Sequence, residues 1–265
     1  MEIGSEIEHR IIEANSDSFR YQATIYDQRE VTLGRQAQRR IAEQISQITR
    51  RLPDSGKTML DCGAGTGALG MHFLGAGFDV TALDLSPEML AVFQSKAARS
   101  GYADRLAIKA GEIMSLLQAT NKQYTVVGCC AFLHHVPDYL LVVDAMCRKV
   151  VPGGHLYLAW DPTVRPTSRV YRSLVQADLA LDLVRTDPLG IMPWLLSRFR
   201  SRSETVELVD YHSALDLAQI KEVVTQNGLY IDSLSAFAGR RNGSIQGLCD
   251  RFQFTDHFSL IAHAE

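Results

Sequence analysis

The stretch Thr58-Met-Leu-Asp-Cys-Gly-Ala-Gly-Thr-Gly-Ala-Leu-Gly70 decides the fold. Met59 and Leu60 end a short apolar run that predicts a strand. Gly63, Gly65 and Gly67 follow as a turn without side chains, and Ala68 to Leu74 predicts the start of a helix. Glycine serves such a turn in two ways. Its backbone takes torsions closed to other residues, and bare main chain lets a ligand come close. The helix that follows presents unpaired N–H groups and the positive end of its dipole. Strand, glycine turn and helix, in that order, predict a nucleotide-type cofactor site at the end of a first parallel strand.

Two ligand chemistries fit these glycines. Gly65-Thr-Gly67-Ala-Leu-Gly70 satisfies G-x-G-x-x-G, the dinucleotide fingerprint, and Asp84 follows at about the expected 20 residues. The second reading starts earlier, at Asp61, and gives Asp-x-Gly-x-Gly-x-Gly. A carboxylate there would face the negative charge of a pyrophosphate. It suits instead a cofactor with a cationic amino-acid end, such as S-adenosylmethionine (SAM), whose ammonium and sulfonium are both positive. The plainer use of Asp61 is to brace the turn.

Outward from this turn the chain alternates strand and helix. Gly77 to Asp84 predicts a second strand ending in an acid, and Asp84 is placed to accept hydrogen bonds from two ribose hydroxyls. Leu85 and Met89 are candidates to pack on an adenine. Ser86 and Pro87 predict the cap and first turn of the next helix. Leu106 to Glu112 predicts a third strand. Gly111, Glu112 and Ile113 at its end form the candidate adenine-binding loop, with Glu112 facing the amino group. Tyr124 to Leu133 is almost wholly apolar, as a central strand buried on both faces must be. It carries Ala131 and then His134-His135 to the carboxyl edge. Pro152-Gly-Gly154 predicts a tight turn before a fifth strand, Leu156 to Trp160. The repeated rhythm predicts a doubly wound α/β sheet.

Four segments follow from the pattern: an N-terminal arm and helical cap over 1–52, a core over 53–162, an insert over 163–212 and a C-terminal part of the core over 213–265. Ile41, Ile45 and Ile48 mark the cap helix at helical spacing. Tyr21 and Tyr26 lie upstream of it, as packing residues or as an aromatic cover over the cofactor. The insert breaks the alternation with Pro162, Pro166, Pro188 and Pro193, and holds an apolar run from Tyr171 to Val184. Leaving the sheet after the fifth strand, it reads as a substrate lid walled by Trp194 and Phe199, or as a homodimer contact. Leu215 to Gln226 predicts a last helix capped by Gly228. Two strands, Leu229 to Phe237 and Phe252 to Ala262, are then expected to pair as an antiparallel hairpin with no helix between them.

Composition narrows the function. A net charge of −3 gives no general pull toward nucleic acid. The arginines at 198, 200 and 202 are nearly matched by acids within the insert. Five cysteines, including the adjacent Cys129 and Cys130, form no C-x-x-C pair and read as buried thiols; no metal is expected. No apolar run approaches a membrane span and the acidic start lacks a signal-peptide pattern, so stable membrane insertion is not expected and the cytoplasm is the expected compartment.

Leu60-Asp-Cys-Gly-Ala-Gly-Thr-Gly67, Ala82-Leu-Asp-Leu-Ser-Pro-Glu-Met-Leu90, Ala110-Gly-Glu112, Leu133-His-His-Val136 and Val151-Pro-Gly-Gly154 occur in one order and spacing. Over about residues 19–263 the chain resembles the class I SAM-dependent methyltransferases. The resemblance implies a Rossmann-like, seven-stranded sheet with an antiparallel last strand. It implies that Gly63, Gly65 and Gly67 approach the methionine part and that Asp84 holds the ribose. Thr24-Ile-Tyr-Asp27, followed by Gly34, looks like the N-terminal helix of small-molecule members, which would bring Tyr26 over the cofactor. The chain departs from the pattern at Glu112, where the family often has Asp, and at Tyr124-Thr125, where Phe-Asp is usual. The absence of an Asn-Pro-Pro-Tyr sequence argues against amino-methylation of DNA bases or glutamine.

The expected activity is transfer of a methyl group from SAM to a small, apolar acceptor, with oxygen favoured: a phenol, quinone or secondary metabolite. A hydroxyl acceptor benefits from a base, and the candidates are His135, His212 and His134. A SAM-binding protein catalysing another reaction such as cyclisation, a nicotinamide dehydrogenase and a non-catalytic subunit are the alternatives.

Overall fold

A computed structural model of the protein describes residues 35–52, 56–163, 168–186, 212–240 and 243–265. Tyr21, Tyr26, Trp194, Phe199 and the arginines at 198, 200 and 202 lie outside the described residues.

The sheet has seven strands: β1 (Thr58–Cys62), β2 (Asp79–Asp84), β3 (Leu106–Ala110), β4 (Tyr124–Cys130), β5 (Val150–Pro162), β6 (Leu229–Phe237) and β7 (His257–Ala264). Their order across the sheet is β3-β2-β1-β4-β5-β7-β6. β7 runs antiparallel between β5 and β6, and the pairings among β1 to β5 are parallel. The order reverses direction at β1 and β4, so the crevice above their carboxyl ends is the natural ligand position.

The helices are α1 (Arg35–Thr49), α2 (Gly70–Gly75), α3 (Pro87–Arg99), α4 (Ile113–Gln118), α5 (Tyr139–Cys147), α6 (Arg169–Thr186), α7 (Leu217–Gln226) and α8 (Gly243–Arg251). Two apolar layers show why the sheet is wound on both sides. Ile41, Ile45 and Ile48 of α1 pack with Phe73 of α2 and Phe93 of α3 against Val80, Val126 and Tyr157. Leu117 of α4, Val142 and Met146 of α5 and Ile220 of α7 pack against Leu60, Val127, Leu156 and Leu260 on the other face. Side chains alternate along each strand, and the adjacent Cys129 and Cys130 accordingly join opposite layers.

Local chemistry fixes the ends of these elements. Ser86 accepts a hydrogen bond from the Met89 amide at 3.2 Å and Pro87 opens α3, the expected cap. Asp138 and Asp216 cap α5 and α7 in the same manner. The Thr125 hydroxyl donates to the Thr58 carbonyl at 2.7 Å and accepts from the Thr58 amide at 2.8 Å, so the departure at Tyr124-Thr125 ties β4 to β1.

Two expectations are corrected. Pro152-Gly-Gly154 is not a turn ahead of the fifth strand; β5 starts at Val150, and these residues fill an irregularity where its register against β4 jumps. The link between the last strands is not a plain hairpin, because α8 occupies Gly243–Arg251. Gly243-Ser-Ile-Gln-Gly is poor in helix formers, and the helix is held by packing of Ile245 and Cys249 against Leu174 of α6. Among the described residues, no helix is long and apolar enough to cross a membrane.

Candidate functional site

The turn after β1 is tied to β2: the Ala64 amide donates to the Leu83 carbonyl, and the Gly65 amide donates to Asp84 Oδ2 at 2.7 Å. Asp84 Oδ1 accepts from the Ser86 amide at 2.8 Å. Each carboxylate oxygen thus holds a backbone donor, and a carboxylate's acceptor sites are not exhausted by them. Burial pushes the Asp84 carboxyl above its ordinary value, and the Ser86, Gly65 and Leu85 amides offset part of that rise. Gly111 joins the same cluster, its amide donating to the Asp84 carbonyl at 2.9 Å.

The glycines of the turn divide their work. Gly63, Gly65 and Gly67 have φ of 67°, 51° and 90°, a region that side chains disfavour. A Cβ on Gly67 would lie 2.4 Å from the Phe93 ring, and one on Gly70 2.5 Å from it. A Cβ on Gly63 would lie 2.1 Å from Phe132. Gly65 alone among the four opens on space, with nothing within 4 Å. Gly67 and Gly70 therefore make room for a core phenylalanine, and Gly65 leaves bare backbone on open space. Gly67→Ala is expected to unfold the protein at lower denaturant than Gly65→Ala, which costs about 1–2 kcal/mol for its torsion alone. Equal urea midpoints would contradict this division.

Asp61 is 1% exposed, and its Oδ2 is buried without a hydrogen-bond partner. It faces the start of α2, 2.8 Å from where a Gly70 Cβ would stand. Burial pushes its carboxyl up to about 8; the Gly70 amide pulls it down and the Asp84 charge pushes it further up. Such a carboxylate is ionised at little cost only when a cation comes near.

The other expected contacts fall around this cluster. Leu85 is half-buried, Met89 is 2% exposed at the start of α3, and Ile113 is 9% exposed. Glu112 is spoken for in part: its two oxygens accept from the Met114 and Ser115 amides at 2.8 and 2.7 Å and cap α4. Ala131, with φ of 51°, directly follows β4, its amide donating to the Ala159 carbonyl.

The histidines sit one strand further along the carboxyl edge. Leu133–His135 forms a short 3₁₀ turn. His134 Nδ1 lies 2.8 Å from Asp161 Oδ1, and the His134 amide donates to the same oxygen at 3.2 Å. Asp161 is fully buried. Its carboxylate can only accept, so the proton of the ring sits on Nδ1 and Nε2 is the basic atom. The His135 ring lies 3.9 Å from that of His134, and burial, with the neighbouring His134, holds His135 down to about 3. A nitrogen of such low proton affinity is a poor base at neutral pH. His212 Nε2 donates to the Pro137 carbonyl at 2.9 Å and the His212 amide to the His134 carbonyl at 3.2 Å, which fastens the end of the insert to the histidine turn.

Asp161 is absent from the sequence reading because alternation would send it elsewhere. Leu156 and Leu158 face one layer and Tyr157 and Ala159 the other. Trp160 should return to the first and Asp161 to the second. Instead the register against β7 slips between Ala159 and Asp161, Trp160 takes φ of 63° and joins Ala159's layer, and Asp161 is turned toward Leu133 and His134. A bulge beside a site commonly re-aims one side chain in this way. The signal in the sequence is the polar Asp161 directly after an apolar strand.

Comparison with known proteins places residues 60–158 in a family described as a methyltransferase domain. A ubiquinone biosynthesis O-methyltransferase of Xylella fastidiosa (strain 9a5c) is 36% identical over 112 residues, 42% of this chain and 45% of that one. The enzyme of the same description from Vibrio cholerae serotype O1 (strain ATCC 39541 / Classical Ogawa 395 / O395) is 32% identical over 161 residues, 60% of this chain and 61% of its own. The matches to these curated relatives thus span about half of their length. Among solved structures, magnesium protoporphyrin IX methyltransferase from Synechocystis PCC 6803 with bound SAH superposes with a TM-score of 0.54 at 16% identity, over 86% of this chain and 83% of that one, and shares the fold.

Proposed function

We propose, from the premise that residues 60–158 form a methyltransferase domain of the class I SAM-dependent kind, that this protein methylates a hydroxyl oxygen of a small acceptor. The observation that carries the oxygen is the His134–Asp161 pair at the carboxyl end of β4 and β5. The similarity to ubiquinone biosynthesis O-methyltransferases supports the same reading and favours a phenol-like, apolar acceptor.

The residues fit the cofactor. Asp84 retains acceptor capacity for a ribose hydroxyl, Gly65 opens on space beside it, and the buried Asp61 answers a positive charge above the turn. Leu85 and Met89 are the apolar partners of the adenine, and Gly111, Glu112, Ile113 and Ala131 line the same edge. Bound SAM supplies a methyl group on an already activated sulfonium. The protein is left to orient the acceptor, exclude water and take a proton. His134 Nε2 takes the hydroxyl proton, and Asp161 stabilises the imidazolium that results. Residues 163–212 act as the lid, the place of the insert beyond β5 being the support for that role.

Calorimetric titration with SAM, S-adenosylhomocysteine and NAD tests the premise. Micromolar binding of the two adenosyl compounds and none of NAD is expected, and binding of NAD alone would overturn it. The affinity for SAM is expected to rise with pH up to about 8. Ionisation of Asp61, which the folded protein resists up to about 8, is what the cation promotes. Asp61→Asn should flatten that rise; an unchanged slope would remove Asp61 from the electrostatics of binding. Radiolabel transfer from methyl-labelled SAM to a panel of phenolic acceptors then tests the oxygen.

A further inference from the structure

Five residues, His212 to Asp216, lead into α7, and they bridge the two members of the His134–Asp161 pair. The His212 amide donates to the His134 carbonyl at 3.2 Å. The Leu215 amide donates at 2.9 Å to the carbonyl of Pro162, the residue after Asp161. Leu215 is itself buried in the apolar layer that holds Leu133, the residue before His134. The segment thus spans from the turn after β4 to the end of β5.

Side chains fix this bridge at both ends. His212 Nε2 donates to the Pro137 carbonyl at 2.9 Å, and the His212 ring stands edge-on to Tyr139 with centroids 4.9 Å apart. The Tyr139 hydroxyl accepts the Asp216 amide at 3.2 Å, and the Asp216 carboxylate caps α7 through the Ala218 and Gln219 amides. Tyr139 opens α5, so the bridge is laid against the starts of two helices. The turn that carries His134 has less of its own. It is three residues of 3₁₀ helix, a form with poor hydrogen-bond geometry, and its bond from the Val136 amide to the Leu133 carbonyl is long at 3.3 Å. His134 is therefore oriented from outside the turn: Asp161 takes its amide and Nδ1, and His212 takes its carbonyl. A reacting group has to be held to within about 0.5 Å by such supporting contacts.

We propose that His212 is a positioning residue for methyl transfer. By fixing the bridge it keeps the His134 ring bonded to Asp161 through Nδ1, with Nε2 bare for the proton of the acceptor. This rests on the reading of His134 as the base. His212 takes no proton itself, because its Nε2 already donates to the Pro137 carbonyl; it acts through the main chain of His134.

The test uses the full chain carrying ¹⁵N-labelled histidine and saturated with S-adenosylhomocysteine, with His134→Gln to identify the His134 resonances. The unsubstituted protein is expected to show His134 with its proton on Nδ1. In His212→Ala the two ring nitrogens should move toward the mixed tautomers of a free imidazole. With methyl-labelled SAM, kcat should fall about tenfold, one hydrogen bond's worth, while the acid limb and the Kd for SAM stay where they were. His212→Gln, whose amide can still donate to the Pro137 carbonyl, should restore both the resonances and the rate. A merely structural role would lower the urea midpoint of His212→Ala and leave the His134 resonances alone, and that result would overturn the proposal. So would a His212→Gln variant no better than His212→Ala. The two readings fail separately. Full turnover by His134→Gln brings down the base and this proposal with it, while an inactive His134→Gln beside an unmoved His134 ring in His212→Ala brings down this proposal alone.

Discussion

His134→Gln is expected to lower kcat by about 10²–10⁴-fold, the usual worth of a positioned base, while the Kd for SAM stays within about twofold. The measurement is radiolabel transfer at saturating SAM with the phenol that the acceptor panel shows to turn over fastest. Asp161→Asn should lose a comparable part of that rate, because an amide can turn its NH₂ toward Nδ1 and favour the tautomer that puts the proton on Nε2. The distinction from a merely structural role lies in the pH profile. With His134 as base, the unsubstituted enzyme loses kcat on the acid side as the imidazole takes up a proton, and this limb is absent from His134→Gln. An acid limb that persists in His134→Gln would move the base elsewhere. His212→Ala should leave the limb in place, since the ring of His212 already donates to the Pro137 carbonyl.

The sequence and the structure agree where one residue answers to one local rule. The strand before Gly63, the cap at Ser86, the acid at Asp84 and the buried fourth strand each follow from local pattern, and the doubly wound sheet follows from their alternation, while its seven strands are what the family resemblance implied. Reading stops where a side chain's direction depends on a distant register. Nothing local says that Trp160 will adopt a left-handed backbone and turn Asp161 onto the face of His134; the slip is visible only against β7, about a hundred residues away. Gly67 and Gly70 show the same limit from the other side. Their pattern is legible, but their reason is Phe93, which reaches the turn from α3. The helix α8 was hidden because its sequence is helical by packing rather than by propensity.

The largest stability effect is expected from Asp256. Asp256→Ala leaves the Arg240 cation at 7% exposure without its carboxylate, and breaking one side of such a buried pair costs about 3–5 kcal/mol. Arg240→Met should cost less than Asp256→Ala, because the Tyr171 hydroxyl, the Gly239 amide and His257 still satisfy the carboxylate. The double variant Asp256→Leu, Arg240→Met should recover part of the loss, and a simple sum of the single effects by urea unfolding would show the pair to be uncoupled. The pH dependence has a definite sign. Burial opposes ionisation of Asp256, but the hydrogen bond and charge of His257, the Arg240 charge and the Tyr171 hydroxyl together hold its carboxyl well below the usual range. Its contribution is therefore complete above the unfolded value of about 3.9 and is lost as the pH falls through the lower, folded value. Acid unfolding between about pH 4 and 2 should accordingly be blunter in Asp256→Ala than in the unsubstituted protein. The same carboxylate fastens α6 to the end of β6 and the start of β7, so its loss should also raise the KM for the acceptor more than that for SAM. An equal rise in both would mean that the clasp supports the whole sheet edge and not the acceptor side of it.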